Sequence, residues 1–291
     1  MELKIFKPLW GHNGTFLEAI QQCVEAGFDG IEAPVCEDES ERRERCALLR
    51  DHGLGFIQEI CTGGGYVPRR NATIAEHMQD FRAQVERVAG CGPVLINAIA
   101  GCDAWSISES VDFFGSAKEC AREYGRIVSF ETHRSRSLFN PWIAHEILRQ
   151  LPQMKLTCDF SHWCVVCERL IDTEPEILAL CAERAYHIHA RVGYDQGPQV
   201  PDPAAPEYAA ALAAHERWWD LIWLSQKTRG LEISTLTPEF GPDGYLHTQP
   251  YTGMPVADLW QVNQWIAKRQ KERFDAVFNK TPAPELAEIS V

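Results

Sequence analysis

Two histidines separated by one residue interrupt an apolar run in the second half of the chain. His187 and His189 lie in YHIHARV, after which the chain enters a long loop rich in Gly and Pro. If this segment is a β-strand, His187, His189 and Arg191 share one face, because alternate side chains of a strand point the same way. We predict His189, nearer the carboxyl end, as a metal ligand. His187 is predicted to support it from one layer deeper, with a plain core histidine as the alternative.

Three carboxylates end other strand-like segments: Glu131 in SFETHR, Asp159 in TCDFSHW and Glu239 in TPEFGP. With His189 they supply mostly oxygen donors and one imidazole, a set that suits Mn²⁺, Mg²⁺ or Co²⁺ and also accepts Zn²⁺. A single carboxylate at a strand end often only caps a helix, but four ligand-type residues on four consecutive strands favour a site for one divalent ion. Mn²⁺ is our first expectation, and a rim of salt-bridging residues is the structural alternative.

The elements that must position these residues alternate along the chain. Short apolar runs are followed by longer amphipathic ones, with Gly, Pro or Asn at the joins, which predicts βα units around a parallel sheet. Eight such units in somewhat over ~250 residues favour an α/β fold of the (β/α)8 TIM-barrel type. A doubly wound sheet is the alternative, but no GxGxxG joins a strand to a helix. We expect strands over 3–10, 30–34, 55–60, 94–100, 127–133, 155–160, 185–192 and 231–240, and helices from near Thr15, Ser40, Thr73, Ser106, Pro141, Thr173, Pro206 and Pro255.

The predicted barrel is a single domain over residues 1–275, followed by a C-terminal tail over 276–291 that shows no periodicity. The formal net charge of the 291 residues is −13 and no basic run occurs, which argues against a nucleic-acid partner. No apolar stretch approaches the ~18 residues of a membrane span, and the first residues do not resemble a signal peptide. We therefore expect a cytoplasmic protein with no membrane partner.

Eleven cysteines occur in the chain, and in a cytoplasmic protein of this size we expect them to stay reduced. Cys164 and Cys167 form a CxxC pair, but no second CxxC completes a zinc site. Packed thiols are the favoured interpretation of this pair.

The pattern of strand-end residues resembles the xylose isomerase-like TIM-barrel superfamily of sugar isomerases and epimerases over roughly residues 1 to 275. The motif comprises Glu131, Asp159 with His162 three residues on, His189 within HxH, and Glu239. It looks closest to the branch of single-metal ketose 3-epimerases, hydroxypyruvate isomerases and inosose isomerases or dehydratases. The resemblance implies that Glu131, Asp159, His189 and Glu239 bind one divalent metal, that Glu131 and Glu239 also carry protons, and that the catalytic His162 touches substrate.

The chain departs from the ketose 3-epimerases at two positions. Those enzymes carry a second Glu six residues after the first metal-binding Glu, where this chain has Ser137, and an Arg six residues after the metal-binding His, where it has Asp195. Arg191, Arg134 or Arg136 are the candidates to replace that guanidinium.

Further polar and aromatic residues fall near the expected mouth of the barrel and suit a sugar, whose C–H face packs on aromatic rings. The loop after His189 is long and rich in Pro, which makes it a candidate lid. Trp218, Trp219 and Trp223 in HERWWDLIWL either pack the helix on the barrel or face a partner subunit in a homo-oligomer. The predicted substrate contacts are His162, Arg191, Trp10, His12, Glu59, Asn97, Trp163 and His187.

The resemblance implies a divalent-metal-dependent isomerase or epimerase that acts on a sugar, sugar phosphate or cyclitol through a metal-stabilised enediolate. A metal-dependent lyase, dehydratase or hydrolase acting on a keto-sugar or inosose is the first alternative, and a non-catalytic sugar-binding barrel is the second. A nuclease of the endonuclease IV type would need extra histidines at the early strand ends, where this chain has Pro34, Glu59 and Ala100.

Overall fold

Eight parallel strands close on one another in chain order in the computed structural model, which describes residues 1–242 and 244–279. The last strand pairs with the first, Ser234 lying opposite Leu3, so the sheet has no free edge. This confirms the (β/α)8 TIM barrel. The strands are β1 (Glu2–Pro8), β2 (Gly30–Pro34), β3 (Gly55–Cys61), β4 (Leu95–Ile99), β5 (Val128–Glu131), β6 (Leu156–Cys158), β7 (Ala185–His189) and β8 (Ile233–Thr237).

Helices follow every strand and cover the outside of the barrel. They are α1 (Phe16–Glu25), α2 (Glu39–Asp51), α3 (Ile74–Arg87), α4 (Ile107–Glu123), α5 (Pro141–Gln150), α6 (Ser161–Cys167), α7 (Pro175–Arg184), α8 (Ala209–Thr228) and α9 (Leu259–Phe274). All of the predicted helices are present. The sequence missed α6, because its seven residues are too few to show a helical period.

Several boundaries differ from the predictions, and β8 ends at Thr237 rather than at 240. Two of the differences have identifiable reasons. β7 ends at His189 rather than at 192, because the apolar run continues into loop residues that are buried without joining the sheet, such as Val192. α9 begins four residues later than the expected start near Pro255, because Asp258 is its N-cap and accepts a hydrogen bond from the backbone N–H of Gln261.

The C-terminal boundary predicted at residue 275 falls within one turn of π-helix, Asp275–Asn279, that continues α9. The ring of Phe278 in this turn packs 5.0 Å from that of Phe274, between ring centroids. The rest of the predicted tail, 280–291, lies outside the described residues.

The lower end of the barrel is filled by apolar side chains. Phe6, Ile57 and Leu95 form a buried cluster inside the barrel, and the Phe6 ring takes the space beside Gly30. A Cβ at Gly30 would lie 2.6 Å from that ring and 2.3 Å from the carbonyl oxygen of Gly55. Glycine at this position therefore lets Phe6 close the bottom of the barrel, and the polar layer lies above it.

The cysteines differ from the expectation in one place. Cys46 in α2 and Cys91 after α3 are joined by a disulfide, with their Cα atoms 5.2 Å apart, so the prediction that all cysteines are reduced is wrong for this pair. The pair was missed because 45 positions separate the two residues in sequence, and only the packing of α2 beside the end of α3 brings them together. Cys164 and Cys167 are free thiols.

The tryptophans of α8 pack inward. Trp218, Trp219 and Trp223 are all buried, so the packing interpretation of this cluster is the one that the structure supports. Within the described part of the chain, no helix is both long and apolar enough to cross a membrane.

His215 links α8 to the loop that follows β7. Its Nδ1 donates to the carbonyl oxygen of Ala211 at 2.9 Å, and its Nε2 accepts from the backbone N–H of Gly193 at 3.2 Å. The ring is therefore neutral, and burial lowers the pKa of His215 to about 4 from an ordinary value of 6.5. A second ring proton would face the N–H of Gly193.

We expect the contribution of His215 to stability to be present above pH 6.5 and to be lost as the pH falls towards 4, because the unfolded chain takes up the proton first. The loss amounts to about 3 kcal/mol for a shift of this size. Urea unfolding of the metal-stripped protein between pH 7 and pH 4 should show a shallower pH dependence for His215→Gln than for the wild type. The matched control is His52→Gln at the exposed end of α2, and equal slopes in all three proteins would contradict the prediction.

Candidate active site

The carboxyl ends of β5, β6, β7 and β8 bring four ligand-type side chains together. Glu131, Asp159, His189 and Glu239 each offer one ligand atom, and these atoms lie within 4.8 Å of one another. All four side chains are buried. They converge because parallel strands of a barrel end at the same rim, where residues from different strands meet.

Three of the four residues have a ligand atom without a hydrogen-bond partner, whereas Asp159 accepts from Ser161 and Arg191. The amide of Asn97 donates to Oε2 of Glu131 at 2.8 Å, while Oε1 of Glu131, Oε2 of Glu239 and Nδ1 of His189 are buried and make no hydrogen bond within the described residues. Nδ1 of His189 lies 2.8 Å from Oε2 of Glu239 and 3.7 Å from Oε1 of Glu131. Buried acceptor atoms this close repel one another unless a positive charge sits among them. The donor set therefore fits a divalent cation.

The charges around His189 also favour a positive charge at this position. Burial opposes the charged imidazole, yet Glu239, Glu32 and Glu131 together raise the pKa of His189 well above its ordinary value. Either a proton or a metal ion would supply the charge that these carboxylates need.

Glu32 on β2 is a site residue that the sequence analysis missed. Its Oε1 lies 3.0 Å from Nε2 of His189, and its Oε2 lies 3.1 Å from Nε2 of His187. The N–H at Nε2 of His189 therefore donates to Glu32, and Nδ1 is left facing the other carboxylates. The available signal was a charged residue inside the apolar strand GIEAP. Glu32 lies in the middle of this strand, whereas the predicted ligands lie at strand ends.

Arg191 follows His189 by two residues and contacts two of the predicted metal ligands. Its Nη2 donates to Oδ2 of Asp159 and to Nε2 of His162, the latter at 2.7 Å, and lies 3.4 Å from Oε2 of Glu239. The guanidinium also lies over the ring of Tyr245, 4.8 Å from its centroid. Because Nε2 of His162 accepts from Arg191, His162 is neutral, and burial together with His133 and Arg191 holds its pKa well below the ordinary value.

A cavity of about 250 Å³ opens above these groups at the mouth of the barrel. Aromatic, cationic and carboxylate side chains share its walls, which is the composition expected of a site for a small polar ligand. The lining residues are Trp10, Tyr66, Val67, Ile99, Glu131, His133, Arg134, Ser135, Arg191, Glu239 and Tyr245.

The sequence profile described as "Xylose isomerase-like TIM barrel" matches residues 20–199 of this chain. The chain belongs to the xylose isomerase-like TIM-barrel family. By sequence comparison, none of the curated proteins matches it.

Solved structures share the whole fold of this family member at low sequence identity. The IOLI protein with a bound zinc atom has a TM-score of 0.63 and 16% identity, over 96% of this chain and 100% of that chain. D-psicose 3-epimerase from Clostridium cellulolyticum H10, crystallised with D-tagatose, has a TM-score of 0.62 and 12% identity, over 94% and 99%. The probable 3-DHS dehydratase AsbF from Bacillus anthracis has a TM-score of 0.60 and 15% identity, over 94% and 100%.

Eight residues were predicted to contact the substrate. Of these, only Trp10 and Arg191 line the cavity. Asn97 is buried and holds Glu131, and His187 lies in the layer below, where its Nδ1 is 2.8 Å from the hydroxyl of Thr235. His162 is buried behind Arg191, with its ring 4.0 Å from that of His133.

The other three predicted contacts lie elsewhere. Trp163 belongs to the core, where its indole N–H donates to the carbonyl oxygen of Leu138 at 2.9 Å, because α6 turns it away from the mouth. His12 lines a different pocket. Glu59 accepts from the hydroxyl of Tyr66 at 2.9 Å, and burial beside Glu239 and other carboxylates raises its pKa to about 8.

The residues that replace them come from loops. Tyr66, His133, Arg134 and Tyr245 line the cavity from the segments after β3, β5 and β8. His133 and Arg134 lie within the SFETHR motif, and Arg134 was among the candidate arginines. Tyr66 and Tyr245 occur in stretches without a periodic pattern, so no sequence signal marked them.

The candidate arginines separate in the structure. Arg134 lines the cavity, with its guanidinium 4.8 Å from the Tyr245 ring centroid. Arg136 is buried and donates to the carbonyl oxygens of Thr62 at 2.6 Å and Tyr66 at 3.1 Å, so it braces the loop after β3 instead.

The two departures from the ketose 3-epimerases lie away from the cavity. The hydroxyl of Ser137 accepts from Ser110 at 2.9 Å and from the backbone N–H of Cys102 at 3.2 Å, and Asp195 is exposed. The predicted lid loop is held by Gln199, whose amide accepts from and donates to the backbone of Gly241.

Gly193 packs against the residue that orients Asp159. The backbone N–H of Ser161 donates to Oδ1 of Asp159 at 3.0 Å, and Nε of Arg191 donates to the Ser161 hydroxyl at 3.1 Å. A Cβ at Gly193 would lie 2.6 Å from the carbonyl oxygen of Ser161 and 2.7 Å from its Cα.

Gly193→Ala should therefore displace Ser161 and lower the free energy of unfolding by about 1–3 kcal/mol, the range for overpacking a buried site. The matched control is Gly115→Ala in α4, where a Cβ meets nothing within 4 Å and alanine favours the helix. Urea unfolding checks both variants. If Gly193→Ala is as stable as the control, the loop after β7 accommodates the added Cβ without loss of stability, and the prediction is wrong.

Proposed function

We propose that this chain is a divalent-metal-dependent isomerase or epimerase that acts on a small sugar or cyclitol. The observation that carries the proposal is the group of unpaired, buried ligand atoms of Glu131, His189 and Glu239, with Asp159 beside them, under a cavity of about 250 Å³. These four residues would hold the ion, with Mn²⁺ as the first expectation. A bound divalent ion supplies Lewis-acid stabilisation of negative charge that develops on substrate oxygens.

The two glutamates are the groups proposed to move protons. Glu131 from β5 and Glu239 from β8 both line the cavity, so a substrate bound there meets a carboxylate from each of two strands. One carboxylate removes the proton beside the carbonyl to give an enediolate, and the other returns a proton. Return to the same carbon on its other face gives epimerisation, and return to the adjacent carbon gives aldose–ketose isomerisation. Oε2 of Glu239 lies beside His189, so Oε1 is the oxygen of Glu239 that would carry the proton.

The remaining cavity residues would bind and orient the substrate. Arg191 and Arg134 bring positive charge to the wall, and Trp10 and Tyr245 offer ring faces for the C–H groups of a sugar. His162 accepts a hydrogen bond from Arg191. We propose that His162 acts by fixing the position of this guanidinium. We place this enzyme in the cytoplasm as part of the same proposal.

A lyase or dehydratase is the second candidate. It is favoured by the position of Ser137, which leaves the cavity without the second glutamate of the ketose 3-epimerases. In this reaction the carboxylate that removed the proton gives it to the β-hydroxyl group of the enediolate, which leaves as water, and no proton returns to carbon. A non-catalytic sugar-binding barrel is less well supported, since buried carboxylates without donors serve no purpose in a binder.

Metal binding tests the ligand set without reference to turnover. We expect the metal-stripped protein to bind one Mn²⁺ per chain in equilibrium dialysis, and Asp159→Asn to weaken that binding. Glu32→Gln should weaken it about 10–100-fold, because Glu32 sets the tautomer and orientation of His189. Glu216→Gln is the matched control, a buried glutamate paired with Arg269 on the helical layer. Wild-type affinity in Glu32→Gln would refute the role of that residue.

Turnover tests the proposed reaction. Ketoses, inososes and 3-keto sugars are incubated with the Mn²⁺-loaded protein, and NMR follows epimerisation, isomerisation and loss of water. Glu239→Gln should lower the rate by about 10²–10⁴-fold, as expected for loss of a general base, and should keep the wild-type unfolding temperature. A dehydrated product would assign the lyase, and an active Glu239→Gln variant with bound metal would remove Glu239 from the proton-transfer step.

A further inference from the structure

A larger pocket of about 660 Å³ lies outside the barrel, next to the cavity described above. It is bounded by the end of β1 and the loop that follows it on one side, and by the segment between β8 and α9 on the other. Trp10 lines both this pocket and the cavity, so its indole is the wall between them. We call it the Lys7 pocket, after the charged side chain at its base.

Lys7 lies on the outer face of the barrel. In the register between β1 and β2 it pairs with Ile31, one position before Pro8 pairs with Glu32. Because side chains alternate along a strand, Lys7 points towards the helices while Glu32 points inward to His187 and His189. The two charged groups are therefore separated by the sheet, and Glu32 does not neutralise Lys7.

Lys7 is buried, and the described residues place no counter-charge beside it. Its side chain is only 2% exposed, and its Nζ contacts the carbonyl oxygen of Pro8 at 3.4 Å and the ring of Trp260, 4.8 Å from the centroid. Throughout residues 1–242 and 244–279, no carboxylate forms an ion pair with it. Burial lowers the pKa of Lys7 to about 8. Lys4 on the same strand shows the usual arrangement, with Glu2 at 2.9 Å and Asp29 at 3.4 Å.

The other polar groups of the pocket are mainly neutral. His12, Asn13 and Gln22 line it beside Lys7. The one carboxylate among its described lining residues is Asp258, whose Oδ1 accepts the backbone N–H of Gln261 as the cap of α9. A buried ammonium group costs several kcal/mol unless a negative charge compensates it, and the described residues form no ion pair with Lys7.

We propose that the Lys7 pocket is a second binding site, for a small anion bearing a carboxylate or phosphate group, with Lys7 as the counter-charge. The ammonium group would donate to the anion from the base of the pocket, and the side-chain amides of Asn13 and Gln22 would supply further hydrogen bonds. His12 would lie beside them, with its Nε2 donating to the carbonyl oxygen of Thr15 at 3.1 Å. The inference does not depend on the reaction proposed above, because none of these four residues lines the catalytic cavity.

The test is calorimetric titration of the full-length, metal-stripped protein with inorganic phosphate and, separately, with succinate. We expect saturable binding of at least one of them to the wild type. Binding should weaken by at least about tenfold in Lys7→Met, which corresponds to about 1.4 kcal/mol, and should persist in Lys7→Arg. Binding of phosphate alone would identify a phosphoryl ligand, and binding of succinate alone a carboxylate.

Two control variants separate this pocket from other cationic sites. Lys4→Met removes a lysine from the same strand outside the pocket, and Arg134→Gln removes a cation from the catalytic cavity. Both should bind as the wild type does. Lys7→Met should unfold at or above the wild-type temperature, because methionine replaces a buried charge. Absence of saturable binding of both anions, or undiminished binding in Lys7→Met, would overturn the proposal.

Discussion

The organising constraint of this site is the charge balance around the imidazole of His189. Three buried glutamates surround it: Glu32 at Nε2, and Glu239 and Glu131 on the Nδ1 side. Three carboxylates cannot share an apolar barrel with a neutral imidazole at little cost, because their mutual repulsion grows in a medium of low dielectric constant. The guanidinium of Arg191, 3.4 Å from Oε2 of Glu239, offsets part of this repulsion. A proton on His189 or a cation bound at the strand ends would supply the rest.

The fold meets this constraint by layering the barrel interior. The apolar layer of Phe6, Ile57 and Leu95 closes the bottom, and the polar layer of Glu32 and His187 rests above it. His187 thus serves neither as a plain core residue nor as a substrate contact, because it shares the Glu32 carboxylate that orients His189. Each layer restricts the conformations available to the one above it.

Loops, in contrast, decide what the site can recognise. Arg136 binds backbone carbonyls from the loop after β3, so that Tyr66 is held over the cavity, and Ser137 is used in packing. Arg136 and Ser137 thus support the loops around the cavity and do not line it. A fold shared with an epimerase and a probable dehydratase fits this division, since a barrel keeps its strand-end groups while its loops change the substrate.

The sequence by itself determined the barrel, the order of its elements and the residue types at the strand ends, because these follow from local periodicity and from turn residues that most βα units carry. It did not reveal Glu32 as a partner of His189, 157 positions away, or the contact of Cys46 with Cys91. It also placed Trp163 at the mouth, whereas the short helix α6 turns it into the core. Only the tertiary structure decided these contacts, because they depend on strand register and on loop paths that have no repeating pattern. A local pattern sets the face on which a side chain lies, and closure of the barrel sets which side chain it meets.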